Sequence, residues 1–423
     1  MTGKNSVRAL PIAMMFALFF IIAFVTGLQN PMGVIVKSQF AASNLLSQMG
    51  NLANFIAYAF MGIPAGLMLQ RIGYKNTSLT AIVVGLVGVC IMWLSGRIGS
   101  YAVYVTGAFV SGFSMCMLNT VVNPMLKSFG SDERRGNQFI QFGSAFNSMG
   151  ATLAPVLVGY LMGSDGAVRN IASANPALYI AMGIFVLSFA VIAVSHIPEP
   201  YSVPQLSRRE HVRYNPMRFR HFALGVVAIF LYVGVEVGIP NIANLYMTQS
   251  LEMDSSVAGT IVGTYWLLML VGRLVGGFAG SRVPVRNMLA FTAILGIVFV
   301  GAFMLTHDSG STVMLPVFRS DVTFGLEPVG ISLMFLILCG LATSVMWGAI
   351  FSLATSGLGE YTSAASGIFM TMVCGGGIMP AFQAWIADVV SYPFSFVTVL
   401  VSLGYLLFYA LWGSRVRGVP AGK

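Results

Sequence analysis

The chain reads as an all-α integral membrane protein, with twelve transmembrane helices arranged as two pseudo-symmetric six-helix bundles. Three observations lead there. First, 57% of its 423 residues are hydrophobic and only 8% are charged, too few charges to cover the surface of a soluble protein of this size. Second, apolar runs long enough to cross ~30 Å of hydrocarbon, about 20 residues each, recur along the whole sequence. Third, a polar, basic segment divides these runs six and six, and a short motif repeats at equivalent places in the two halves.

The runs lie near 9–29, 45–70, 77–95, 102–127, 137–163, 175–196, 220–248, 255–280, 287–306, 329–355, 362–388 and 392–413. They lack the alternation of barrel strands, and backbone left unpaired in lipid costs several kcal/mol per group, so each is predicted to be helical. The first run follows a short basic tail, but no small-residue cleavage site ends it, so it is expected to remain as an anchor. The segment 307–328, "HDSGSTVMLPVFRSDVTFGLEP", reads as a long outer loop with no assigned role.

Basic residues set the orientation, because short cytoplasmic loops retain Lys and Arg. Lys4 and Arg8 precede the first run, Arg71 and Lys75 follow the second, and Lys127, Arg134 and Arg135 follow the fourth. Arg208, Arg209, Arg213, Arg218 and Arg220 fill the central segment, and Arg282, Arg286, Arg415, Arg417 and Lys423 continue the series. The opposite side carries only Lys37, Arg97, Arg169 and Arg319. Both termini are therefore expected in the cytoplasm. A basic inner face beside anionic lipid accounts for the net charge of +9 without nucleic-acid binding. Cys90, Cys116, Cys339 and Cys374 fall inside apolar runs at no metal-ligand spacing and are read as buried, small apolar residues.

The central segment "IPEPYSVPQLSRREHVRYNPMRFR" suggests a division into an N-terminal bundle (1–197), a cytoplasmic linker (198–219) and a C-terminal bundle (220–423). After the second run the chain reads "AGLMLQRIGYKN", and after the eighth "GGFAGSRVPVRN". Gly66, Arg71, Lys75 and Asn76 align with Gly277, Arg282, Arg286 and Asn287 at one constant offset, as expected of duplicated halves packed around a midplane site. Gly272, Gly276 and Gly280 form a double GxxxG stripe that permits close helix approach, for moving parts or for static packing.

The loop around Arg71, Gly73 and Lys75 resembles the cytoplasmic loop motif of the major facilitator superfamily, with Gln70 where that family usually has Asp. The resemblance implies gating roles for Arg71, Lys75 and Arg282. The loop cations can bond helix C-terminal carbonyls and latch the inner side; the same residues also serve to set topology. The span-embedded Arg273 could snorkel some 10 Å to the inner surface, or bind a carboxylate when the inner gate closes. The segments "FLYVGVEVGI", "VGRLVGGFAGSR", "NPML", "AFNSMGATLAP", "FSLATSGLGEYTSAASG" and "GGGIMPAFQAWIAD" are similar to those of the fucose permease and glucose/galactose permease group within that superfamily. What this implies is the major facilitator fold and a permease of the cytoplasmic (inner) membrane that imports a monosaccharide, generally with a proton. Against the group's pattern, Gln29-Asn30 stands for Asn-Asp, Asn119 for Glu or Gln, and Ser144 for Gln; Trp347 replaces Phe, and Gly348 stands where Pro is frequent.

A carboxylate in a low-dielectric cavity can trade protons near neutral pH, whereas an amide has none to give but still bonds sugar hydroxyls. With Asn30 and Asn119 as amides, Glu236 becomes the leading proton carrier. It lies about 16 residues into its run, about 24 Å along a helix. Pro240, followed by Asn241 and Asn244, is expected to break the helix just beyond it and expose it to a wet cavity. The opposing reading is a carboxylate neutralised by a partner helix, or snorkelling outward. Asp388 reads as a helix-end charge. Sugar binding calls for amides, hydroxyls and aromatic faces. Candidates are Asn30, Asn119, Asn123, Ser144, Asn147, Asn241, Tyr265, Trp266, Trp347 and Gln383, with Asn51 and Asn54 as further cavity-wall residues.

No enzyme motif is present: no paired carboxylates at acid/base spacing, no HExxH, no P-loop and no nucleophile elbow. No metal or other cofactor is expected. The expected partners are a small-molecule sugar, protons and the lipid bilayer, with the chain acting as a monomer. Uncoupled sugar uniport, carriage of an N-acetylated sugar, drug export and sugar sensing stand as alternatives.

Overall fold

A computed structural model of the chain describes residues 3–28, 32, 35, 39, 49–162, 174–199, 215–253, 255–318 and 323–416. Helices begin and end within a few residues of the apolar runs. They are α1 (Gly3–Gly27), α2 (Met49–Ile98), α3 (Tyr101–Phe129), α4 (Glu133–Met162), α5 (Asn175–Val194), α6 (Arg220–Leu245), α7 (Ser255–Ala279) and α8 (Val285–Thr306). A β-hairpin of β1 (Thr312–Phe318) and β2 (Phe324–Gly330) precedes α9 (Ile331–Thr343), α10 (Met346–Ala354), α11 (Thr362–Thr371), α12 (Gly375–Val389), α13 (Tyr392–Ser395) and α14 (Val397–Phe408). Among the described residues, ten helical stretches are long and apolar enough to cross a membrane.

Several elements depart from the sequence expectation. The second and third runs form one fifty-residue helical stretch, kinked at Gly73 (φ 79, ψ 178), backbone that is essentially reserved for glycine. The outer loop is an antiparallel hairpin in the register Thr312↔Gly330 to Phe318↔Phe324. Met314, Phe324 and Leu326 are exposed on one of its faces. Cys90 is exposed, unlike Cys116, Cys339 and Cys374. It shares an outward stripe of α2 with Val83, Val87 and Leu94, so its thiol belongs to the apolar outer surface.

The largest correction concerns Pro240. The helix does not break there: α6 runs on to Leu245 and then widens into a π-helical turn, Tyr246–Ser250. Proline lacks the N–H that would bond the carbonyl four residues earlier, which is that of Glu236. The Tyr265 hydroxyl on α7 donates to this carbonyl at 3.2 Å, so a neighbouring helix satisfies the freed acceptor and the helix continues. The interruptions fall elsewhere, between α9 and α10 at Ser344–Val345 and at the turn Met372–Cys374 between α11 and α12.

The chain forms two compact units. Unit 1 comprises Met1–Phe129, Phe146–Asn215 and Leu358–Met372, and unit 2 comprises Gly130–Ala145, Pro216–Gly357 and Val373–Lys423. Each unit thus takes one segment from the opposite sequence half, and small residues make room for it. Within unit 1, a Cβ on Gly367 would lie 2.6 Å from the Gly62 carbonyl oxygen and 2.7 Å from Gly66 Cα, so α2 and α11 meet backbone to backbone. Ser366 on α11 donates to the Thr120 carbonyl at 3.0 Å. Within unit 2, Phe142 and Gln138 of α4 pack over Gly277 and Gly280 of α7, and Ser344 and Val345 fill the space over Gly272 and Gly276. The glycine stripe therefore seats both α4 and the α9–α10 break.

Candidate functional site

Unit 2 holds a buried polar cluster built on the α9–α10 break. A helix end leaves backbone carbonyls without partners, and away from water such groups must be satisfied by side chains. Three successive carbonyls here receive donors from three different helices. The Tyr232 hydroxyl on α6 donates to the Thr343 carbonyl at 3.2 Å, Arg273 Nε on α7 to that of Ser344 at 3.3 Å, and Gln141 Nε2 on α4 to that of Val345 at 2.8 Å. The break is thereby held in place by side chains that lie as far apart in the sequence as Gln141 and Arg273.

Arg273 is 5% exposed and uses all three of its nitrogens. Nη2 pairs with Glu236 Oε1 at 2.6 Å, and Nη1 donates to the Ser144 carbonyl at 3.2 Å. A buried cation requires such charge and hydrogen-bond compensation. Among the described residues this is the only Arg–carboxylate ion pair. The short, charge-assisted contact places the carboxylate beside Tyr232, one helical turn earlier on α6, and beside Tyr265, which faces Thr343 Oγ1 at 3.0 Å. Trp266 meets Tyr265 edge to face at 5.3 Å, and Trp347 lies 6.4 Å from Tyr232. Gln383 on α12 is 2% exposed. Its Oε1 approaches α6 at Gly238, where an added Cβ would lie 2.7 Å away, and its Nε2 has no protein partner. A charged pair, two phenols and two indoles thus converge within one unit, while Gln383 packs on the opposite face of α6, the one that carries Gly234 and Gly238.

Unit 1 has a second, uncharged polar cluster. Asn119 Nδ2 on α3 donates to the Tyr58 hydroxyl on α2 at 3.0 Å, and Asn123 Nδ2 donates to the Asn119 carbonyl at 2.8 Å. Asn119 is buried and Asn123 is 0% exposed, placing Asn123 behind Asn119. Asn147 on α4 donates to the Phe19 carbonyl at 3.1 Å, linking α4 to α1. Asn54 is buried one turn before Tyr58, against Gly112.

The predicted site residues are therefore distributed as follows. Glu236, Arg273, Tyr265, Trp266, Trp347 and Ser144 gather in unit 2, with Ser144 contributing its carbonyl, and Gln383 lies in the same unit on the other face of α6. Asn119, Asn123 and Asn147 lie in unit 1. Asn241 is exposed beyond Pro240, and Asp388 is exposed near the end of α12. Asn30 and most of the linker 198–219 lie outside the described residues. Tyr232, Thr343, Gln141 and Tyr58 were not anticipated. Tyr232 precedes Glu236 by four residues and Tyr58 follows Asn54 by four, so helical spacing carried a signal for both.

The repeated loops act as helix-end clamps. Lys75 Nζ donates to the Ala193 carbonyl at the C-terminal end of α5, at 2.7 Å. Its counterpart Arg286 bonds the carbonyls of Ala410 and Leu411 just past α14. In each half, then, the same motif position caps the final helix, where a cation complements the helix dipole. Arg71 and Arg282 are exposed. The carboxylate missing at Gln70 is supplied from elsewhere in the sequence. Glu199 accepts from the Tyr74 N–H at 2.8 and 2.9 Å and from that of Lys75 at 3.4 Å, just past the kink at Gly73.

Comparisons with known proteins agree with this architecture. The glucose/galactose transporter of Brucella abortus is 28% identical over 412 residues, covering 94% of this chain and 92% of that protein. The L-fucose-proton symporter of Escherichia coli is 22% identical, covering 91% and 89% respectively. The crystal structure of FucP, a transporter in the outward conformation, superposes with a TM-score of 0.82 at 19% identity and covers 97% of this chain and 100% of that one. Residues 15–381 match the Major Facilitator Superfamily, and with the match spanning most of its length the chain belongs to that superfamily.

Proposed function

We propose that the protein is a secondary active transporter that imports a monosaccharide together with a proton by alternating access. Counting both arms of α2 together with α4, it crosses the membrane twelve times, in a cytoplasmic membrane with both termini inside, as a monomer. Glu236 carries the proton. The observation behind this reading is the buried Glu236–Arg273 pair, set among phenol, indole and amide groups of the kinds that bind sugars. The names of the relatives, glucose/galactose transporter and L-fucose-proton symporter, point the same way.

The sugar ligands are Asn119, with Asn123 supporting it, and Asn147 in unit 1, and Gln383, Trp266 and Trp347 in unit 2. Gln383 has an unpartnered buried Nε2, a donor available for a hydroxyl. Asn30, Ser144, Asn241 and Tyr265 complete the candidate set, and Arg71, Lys75 and Arg282 act at the inner gate. A second reading, uncoupled uniport, treats the Glu236–Arg273 pair as permanent structure.

Uptake of labelled sugars by proteoliposomes under an imposed pH gradient separates the two. In a symporter, Glu236→Gln abolishes accumulation above equilibrium and leaves sugar exchange intact. Accumulation that survives this replacement rules out Glu236 as the proton carrier.

A further inference from the structure

We propose that the exposed apolar face of the β1–β2 hairpin is a membrane anchor, lying in the interfacial layer of the leaflet at which α8 ends and α9 begins. In the topology proposed above this is the outer leaflet. The proposal concerns attachment to lipid and is independent of what the protein carries.

The register sorts the hairpin's side chains by face. Val317 and Val329 are buried, on the face by which β1 packs against α7 and α9. Glu327, the one charge within the two strands, shares their parity and stands opposite Leu315. The other face pairs Met314 with Pro328 and Pro316 with Leu326, and it continues into Phe324. All five of these residues are exposed, Met314 at 57%, Leu326 at 63% and Phe324 at 68%, and none bears a charge.

A contiguous apolar patch is rarely left to water, and the chain's own geometry puts lipid beside this one. α8 is 22 residues long, about 33 Å at ~1.5 Å per residue, and so spans a hydrocarbon layer of about 30 Å. Its exposed stripe of Phe291, Ile294, Val298 and Leu305 recurs at helical spacing and faces lipid up to the last turn. The short link 307–311 then leads into β1, and β2 ends directly on α9, where the Ile331 N–H donates to the Ser311 carbonyl at 2.9 Å and closes the base. The hairpin is thus pinned where the lipid-facing surface ends, and its apolar face extends that surface. The backbone limits the depth. Unpaired N–H and C=O groups along the hairpin's edges are costly in hydrocarbon but not among headgroups, which keeps the strands at the interface. Proline fits a strand where its missing N–H would point outward. Pro316 and Pro328 stand at the same register parity, one on each strand, so each edge carries one donor fewer. With no cation in either strand, the contact is hydrophobic and does not select anionic lipid.

The experiment places a nitroxide spin label at Leu326→Cys in the full-length chain carrying Cys90→Ser, the remaining cysteines being buried, and reconstitutes it in phosphatidylcholine vesicles. A label at Asp308→Cys, whose native side chain is 90% exposed just past α8, serves as the aqueous reference. Power-saturation EPR compares collisions with oxygen, which concentrates among acyl chains, and with a water-soluble nickel chelate. The label at 326 is expected to favour oxygen over the chelate relative to that at 308, at every protein-to-lipid ratio and equally when phosphatidylglycerol is added. Adding Phe324→Asp is expected to raise chelate access at 326 about tenfold, the factor by which returning one apolar side chain to water shifts such a balance. Equal chelate access at 326 and 308 overturns the proposal, because the face then lies in water. Shielding from both reagents that appears with spin–spin broadening only as the protein-to-lipid ratio rises also overturns it and assigns the face to a second copy. Protection that requires phosphatidylglycerol overturns it as well, since the contact is then one of charge.

Discussion

Replacing Tyr265 by phenylalanine removes one oxygen and tests how α6 passes Pro240 unbroken. Thr343 can donate to the Tyr265 oxygen, whose own proton goes to the Glu236 carbonyl, the acceptor that Pro240 leaves open. Without the hydroxyl, Thr343 still reaches the Cys339 carbonyl at 3.0 Å, so the loss falls on the Glu236 carbonyl. A net hydrogen bond contributes about 1 kcal/mol and an orphaned buried acceptor costs about 1–3, whereas interhelical bonds in membranes average ~0.6 kcal/mol. Tyr265→Phe is therefore expected to destabilise unit 2 by about 1–2 kcal/mol. Pro240→Ala restores an N–H that can bond the same carbonyl within the helix. In that background Tyr265→Phe should cost less by about 0.5–1.5 kcal/mol, the coupling expected of groups in one network. Reversible unfolding in mixed detergent–SDS micelles, followed by circular dichroism, measures all four corners of the cycle. Equal costs of Tyr265→Phe in the two backgrounds, to within ~0.3 kcal/mol, would refute the claim that Tyr265 serves the proline-freed carbonyl.

Two further outcomes follow from the packing, beside the transport experiment described above. Glu199→Ala removes the carboxylate that caps Tyr74 and Lys75 and should lower stability by about 1 kcal/mol in the same unfolding assay, with a smaller effect at high salt because Glu199 is exposed. Gly367→Val forces a side chain against the backbone of Gly62 and Gly66. It should cost about 1–3 kcal/mol of stability and loosen the α2–α11 contact, which appears as faster amide exchange in α11.

Much of the fold was legible before any coordinates. Hydropathy is a local property, and the bilayer demands helices wherever it stays high, so the positions of the helices followed from composition along the chain. The repeat linking Lys75 with Arg286 was also readable, and both residues cap a final helix. Glu236 stood out because a charge in an apolar run needs a reason, and Arg273 because it was the one basic residue well inside a run. What hydropathy could not show is the pairing of these two residues, 2.6 Å apart from different helices.

The sequence by itself therefore determined the membrane character, the helices and the short list of polar residues that lipid would not tolerate alone. The tertiary structure decided how those residues are satisfied. Pro240 was read as a break because its missing N–H is visible in one dimension, whereas the Tyr265 hydroxyl that makes good the loss comes from α7. Glu199 stands in for an absent aspartate more than a hundred residues away, and Gln141, Arg273 and Tyr232 meet at three consecutive carbonyls only once four helices have packed. Hydrogen-bond satisfaction inside a membrane is a property of neighbours in space, and sequence order carries little information about which neighbours those are.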